Sequence, residues 1–233
     1  MKEQYVGDVN DYWKYAVLRA LLGGTSLKLG IAWMLTPPDA SRDGQKLSYL
    51  DNAAFRSFDT ELFDHLSEIV SGQDQRLSLV ERRIFPGAIC HGSLVPDSLV
   101  ERRAYFRSLT TNLAAADLIF LDPDNGLDVP SKGKGSAGSS RYVYRDEIED
   151  IFGRGHSALI YQHFPRVSRD LFTARLGEEL KTLCPTSAVW AFRTANVVFL
   201  LVVHPRHAAE LDQRAESAAL KWPHRLMSVR RLS

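Results

Sequence analysis

Short, uninterrupted apolar runs recur along the chain, and amphipathic stretches with helical spacing separate them. The runs are "LGIAWML" at 29–35, "RLSLV" at 76–80, "DLIFL" at 117–121, "SALIYQHF" at 157–164, "SAVWAF" at 187–192 and "VVFLLVV" at 197–203. Continuous runs suit strands covered on both faces, whereas strands with one wet face alternate apolar and polar residues. Between them lie helices. Asn10 or Asp11 can cap one that buries Trp13, Ala16, Val17, Ala20 and Leu21 and stops at Gly23 and Gly24. A second follows Asp59, with Leu62, Phe63, Leu66, Ile69 and Val70 at spacings of three and four. A third follows Pro96 and Asp97, with Leu99, Phe106, Leu109 and Leu113. Asp146 can cap a short one ending at Gly153, and Phe172, Leu176, Leu180 and Leu183 form a stripe that stops before Pro185.

Strands alternating with helices predict an α/β fold with a mostly parallel sheet, since parallel strands need crossover connections. The last two strands are separated only by "RTAN" at 193–196, enough for a hairpin and therefore for one antiparallel strand. The expected architecture is a Rossmann-like three-layer sandwich formed by one domain, residues 1–233, with a basic tail from Lys221 to Ser233.

A formal charge of +1 gives no strong overall attraction to nucleic acid and leaves only local patches, the tail and "PSKGKGSAGSSR" at 130–141. Glycine, serine and lysine make the latter read as a mobile loop or lid facing RNA, with Lys132, Lys134 and Arg141 as phosphate contacts. It lacks the spacing of a phosphate-binding P-loop. The opening "MKEQYVGDVNDYWKYAV" has no apolar leader core and no run is long enough to span a bilayer, so the expectation is a cytoplasmic protein with no membrane partner. Cys90 and Cys184 form no C-x-x-C pair, and His204 and His207 lack further ligands, so no metal site is expected.

One strand ends in chemistry. "LIFLDPDNGLDV" runs from four apolar residues straight into Asp122, Pro123, Asp124 and Asn125, with Asp128 close behind. Ligands gather at the carboxyl ends of parallel strands, so these acids are candidate site residues. "IYQHFPR" likewise puts His163, Phe164 and Arg166 at or just beyond a strand end.

The strand followed by "DP" resembles motif IV of class I S-adenosylmethionine-dependent methyltransferases that modify exocyclic base amines, although Asp124 and Asn125 replace its proline and aromatic residue. "GDVNDYWKY" at 7–15 is similar to the G-N-x-x-D-x-x-K-H segment of bacterial large-subunit ribosomal RNA adenine-N6 methyltransferases, with Gly7, Asp11 and Lys14 in register. "YVGD", "LDPDNGL" and "IYQHFPR" also look like segments of a bacterial family whose function is unassigned. The first strand departs from the methyltransferase pattern, because Pro37, Pro38 and Asp39 precede any glycine there.

The resemblance implies S-adenosylmethionine as cofactor and nucleic acid as partner, with the N6 amine of an RNA adenine favoured. It implies Asp122 and Asn125 as catalytic residues and Lys14, Tyr15, Asp39 and Asp122 as cofactor contacts. Methyl transfer is an in-line displacement that needs donor and acceptor held at roughly 3 to 3.5 Å. A carboxylate accepting the amine's hydrogen bonds favours the charge that develops on attack. A flipped base needs an aromatic face, and Tyr5, Tyr12, Trp13 or Phe164 could supply it. Pro123, Asp124, His163 and Arg166 complete the expected substrate contacts. Two other readings stay open: a Mg²⁺-dependent phosphodiester or phosphate hydrolase built on Asp122 and Asp124, with Asp128 as a further ligand, and a non-catalytic member of the fold that binds RNA or protein.

Overall fold

The computed structural model describes residues 1–2, 6–38, 46–72 and 77–233. Along the chain run α1 (Val9–Leu22), β1 (Leu29–Ala32), α2 (Ala53–Phe58), α3 (Thr60–Ser71), α4 (Leu77–Arg83), β2 (Ile89–His91), α5 (Leu99–Asn112), β3 (Leu118–Leu121) and β4 (Gly126–Leu127). Then come β5 (Tyr142–Val143), α6 (Arg145–Gly153), β6 (Ser157–His163), α7 (Arg169–Leu183), β7 (Ala188–Arg193), β8 (Val197–Val203), α8 (Ala208–Lys221) and β9 (Ser228–Arg231).

Seven strands form one mixed sheet in the order β2-β1-β3-β6-β8-β7-β9, and β4 and β5 form a separate parallel pair. The first four strands of that order are mutually parallel; β8 is antiparallel to both its neighbours, and β9 is antiparallel to β7. Successive side chains on a strand point to opposite faces, which divides β3 cleanly. Leu118 and Phe120 enter a core with Tyr12, Val17 and Leu21 of α1, Leu62 and Leu66 of α3 and Leu211 of α8. Ile119 and Leu121 enter a second core with Leu109 of α5, Ile148 of α6 and Leu176 and Leu180 of α7. Helices therefore cover both faces, and the continuous apolar strands have the environment their composition requires.

Several boundaries differ from the sequence expectation. The run at 76–80 is not a strand: from Leu77 onward it is α4, because Leu77, Val80 and Ile84 recur at helical intervals and all three are buried. The strand in that region is β2, hidden in "ICH". Asp8 rather than Asn10 or Asp11 caps α1, its side chain accepting from the Asn10 amide at 2.8 Å. Asp59 caps α3 as expected, accepting from the Leu62 amide at 3.1 Å. Asp146 lies inside α6, whose first turn is closed by Glu147 accepting from the Tyr144 amide at 2.9 Å. The basic tail is structural: β9 hydrogen-bonds along β7 and buries Val229. No helix among the described residues is long and apolar enough to cross a membrane.

The chain adds β2 on one side of β1 and then β3 on the other. Connections leaving two neighbouring strands in opposite directions open a crevice at their carboxyl ends, the usual ligand position in sheets of this kind.

Candidate active site at the end of the central strands

A cavity of about 370 Å³ lies over that crevice, lined on one side by the amino-terminal turns of α1 and on the other by 122–125, Tyr161 and His163. Its floor is ionic. Lys14 donates to Asp11 Oδ1 at 2.8 Å and to Asp122 Oδ2 at 2.7 Å, the second contact joining residues 108 apart in sequence. All three are buried, Asp11 at 2%, Lys14 at 4% and Asp122 at 1% exposure. The Lys14 ammonium also lies 5.0 Å from the centre of the Tyr161 ring, where its charge meets the π face.

Burial alone would lower the Lys14 pKa, but Asp11 and Asp122 outweigh it and hold the pKa above the ordinary lysine value. Burial pushes Asp11 up to about 6 in spite of Lys14. Above that pH the three groups carry two negative charges and one positive, a net charge of minus one next to the cavity.

The turn after β3 is held from below by Gln162 of β6. Its Oε1 accepts from the Leu127 amide at 2.8 Å, and its Nε2 donates to the Asn125 carbonyl at 3.2 Å and the His163 carbonyl at 2.7 Å. Gly126 turns with φ +115°, and a side chain there would overlap the Gln162 amide. The end of β1 has a comparable device: Met34 sits at φ +45°, the one non-glycine residue with positive φ among those described. Backbone strain of this kind persists only where surrounding packing enforces it. The amino group of Met1 donates to the Met34 carbonyl and to the Asp122 carbonyl, each at 2.9 Å, and lies 2.9 Å from Asp124 Oδ1. Thr36 donates to the other Asp124 oxygen at 2.5 Å. Burial disfavours the Asp124 charge, but these partners win and keep its pKa below the usual carboxylate value.

Of the residues expected at the site, Lys14, Asp122, Pro123, Asp124, Asn125 and His163 all line the cavity. Tyr12, Trp13 and Tyr15 do not. Tyr12 is wholly buried with its hydroxyl donating to the Phe55 carbonyl at 2.7 Å, and Trp13 packs on Phe55 and Phe58. Tyr15 packs edge-on against Trp33 and Phe85. They are core aromatics: α1 presents Tyr12 and Trp13 to α2 and Tyr15 to the chain just beyond β1 and α4. Phe164 and Arg166 lie beyond the cavity wall, with Phe164 against Phe172 and Arg166 exposed. Tyr5 and Asp39 lie outside the described residues. Asp8, Asn10, Asp11, Lys46, Arg141 and Tyr161 line the cavity as well; of these, Asp11 had a signal in its register with the amino-terminal motif and Arg141 in the basic stretch read as phosphate-facing, and the other four had none.

The stretch expected to be a mobile lid is clamped. Arg102 of α5, 1% exposed, donates to Glu147, to the Ser139 carbonyl at 3.2 Å and to the Tyr142 carbonyl at 2.7 Å. Asp97 accepts from the Gly138 and Ser140 amides at 2.7 and 2.6 Å. Lys132 donates to the Ala137 carbonyl, and Lys134 pairs with Asp146 and Glu147.

Each acid named as a magnesium ligand already has a cation from the chain: Asp122 has Lys14, Asp124 has the Met1 amino group, and Asp128 has Arg145 at 2.6 Å. Among the described residues no three His, Cys, Asp or Glu side chains converge as metal ligands. Comparison with known proteins finds no family model and no curated protein that matches the chain.

Proposed function

We propose that the protein is an S-adenosylmethionine-dependent methyltransferase acting on a base amine of nucleic acid, with the N6 amine of an RNA adenine as the favoured target. The observation that carries this reading is the Lys14–Asp122 contact at 2.7 Å. The segments that resemble such enzymes, 7–15 and 122–125, are far apart in the sequence and meet at one cavity at the switch point of the sheet. The strand order supports a Rossmann-like assignment, with the hairpin strand β8 inserted antiparallel between β6 and β7.

The residues fit the donor in two respects. The left-handed turn at Met34 redirects the chain at the end of β1 without a glycine, and Asn10 lines the cavity with a buried Oδ1 that has no hydrogen-bond partner among the described residues. An acceptor left unsatisfied in this way costs stability unless a ligand uses it. Asn10 would take a hydroxyl or the ammonium of the donor. The donor, when bound, supplies an electrophilic methyl group on a sulfonium.

Asp122 and Asn125 face the acceptor amine. Asp122 is not a free carboxylate, since Oδ2 is committed to Lys14. Its effect on the amine would be electrostatic: the nitrogen would become positive as the sulfonium's carbon–sulfur bond breaks and the thioether leaves, the net negative charge of Asp11, Lys14 and Asp122 would lower the energy of that state, and the amine proton would then pass to solvent. Lys14 keeps the two carboxylates from repelling each other and fixes their positions. Methyl transfer from labelled donor should therefore appear in RNA from cells lacking the protein, and Asp122→Asn should reduce it by roughly 10²-fold or more, as removal of a preorganised charge does elsewhere. Failure to label RNA or DNA by a donor-binding, folded protein would contradict the reading.

A further inference from the structure

The mouth of the cavity differs in charge from its floor. Arg141 and Lys46 line it, both exposed. The Arg141 guanidinium makes no ion pair or hydrogen bond with a described residue, in contrast to its neighbours. Arg145 grips Asp128 and Glu179, Arg102 grips Glu147, and Lys134 grips Asp146. The backbone around Arg141 is nevertheless held on every side. Its carbonyl accepts from the Asn125 amide at 2.9 Å, Tyr142 and Val143 pair with Gly126 and Leu127, and Arg102 bonds the Ser139 and Tyr142 carbonyls that flank it. Lys46 is anchored in the same way, its amide donating to Asp8 Oδ2 at 3.0 Å while its side chain reaches the mouth. A guanidinium carried on a held backbone at the cavity mouth, without a partner among the described residues, is available to an external anion, and its planar fork matches the oxygens of a phosphate.

We propose that Arg141 and Lys46 form an anion subsite that takes one phosphate group of the substrate at the cavity mouth, with the attached base directed to the floor formed by Asp11, Lys14 and Asp122. The phosphate comes from a free nucleotide or from the backbone of a polynucleotide. Only the direction of the base rests on the methyltransferase reading.

The test is calorimetric titration, without methyl donor, of the wild-type protein and the Arg141→Ala, Arg141→Lys and Lys46→Ala variants. The probes are adenosine, adenosine 5′-monophosphate and a short single-stranded oligoribonucleotide. The wild type should bind a phosphate-bearing probe more tightly than adenosine, and added salt should weaken that binding. Arg141→Ala should cost roughly tenfold or more, the scale of a lost charged hydrogen bond; Arg141→Lys should restore part of it and Lys46→Ala should cost less than Arg141→Ala. Preference for the oligonucleotide identifies the backbone as the source, and equal binding of the monophosphate identifies a free nucleotide. The subsite is overturned if adenosine binds as well as its monophosphate, or if Arg141→Ala, folded by circular dichroism, binds the phosphate probes within about twofold of wild type. Donor binding is measured separately: its absence removes the reaction and leaves the subsite standing.

Discussion

At the scale of single residues, Lys14 is the pivot. Deleting its charge strands two carboxylates in a dry site, so Lys14→Met should destabilise the fold by about 3–5 kcal/mol in urea denaturation, the usual consequence of breaking a buried pair; a loss below about 1 kcal/mol would mean that the pair is solvated. Asp11 gives a pH signature. Its folded pKa of about 6 exceeds the ordinary 3.8, so the native state binds the proton more tightly. The stability this confers is complete below 3.8 and is lost as the pH rises through about 6. Thermal unfolding of wild type and Asp11→Asn should show it: the difference in stability between them should shift in favour of wild type as the pH falls across that window. Catalysis should run the other way, declining in the wild type as Asp11 takes its proton and the floor becomes neutral. Gly126→Ala tests the turn, since it must strain a left-handed backbone and displace a Gln162 side chain that three hydrogen bonds hold; a loss of about 1–3 kcal/mol is expected in the same denaturation assay.

At the scale of elements, the α5–loop clamp explains why a stretch rich in glycine, serine and lysine is ordered. Arg102→Met removes the fork that spans Glu147, Ser139 and Tyr142, and limited proteolysis should then cut within 132–138 at a protease concentration that leaves wild type intact; equal resistance would show that Asp97 alone suffices. The clamp was not legible in the sequence, because composition describes the loop's own preferences and the anchors come from α5 and α6. Similar reasons account for the other differences. The strand end carrying Asp122 was legible because an apolar run stops at an acid followed by proline, whereas its partner Lys14 lies 108 residues away and reads locally as a solvated helix residue. "RLSLV" was ambiguous because a window that short satisfies both the helical and the extended period. Tyr12, Trp13 and Tyr15 lie in a segment with a functional signature, but the helix turns their rings into the core and places Asn10, Asp11 and Lys14 at the cavity.

At the scale of the molecule, the parallel centre of the sheet fixes where a ligand can sit, and the antiparallel half seals the other side. β9 closes the β7 edge, with Leu232 packed against Gly177 of α7. Little in "SVRR" marks a strand apart from Val229; the open edge of β7 is what recruits it. Deleting residues 228–233 should lower the melting temperature and produce aggregation that increases with concentration, as an uncovered edge strand does; unchanged melting and a monodisperse light-scattering profile would show that the strand is dispensable. On the proposed function, the crevice between β1 and β3 takes the methyl donor. Isothermal titration of the folded protein with S-adenosylmethionine should give saturable binding to one site, weakened when Asn10→Ala removes the unused acceptor. A flat titration of folded wild-type protein, or binding that Asn10→Ala leaves unchanged, would contradict it.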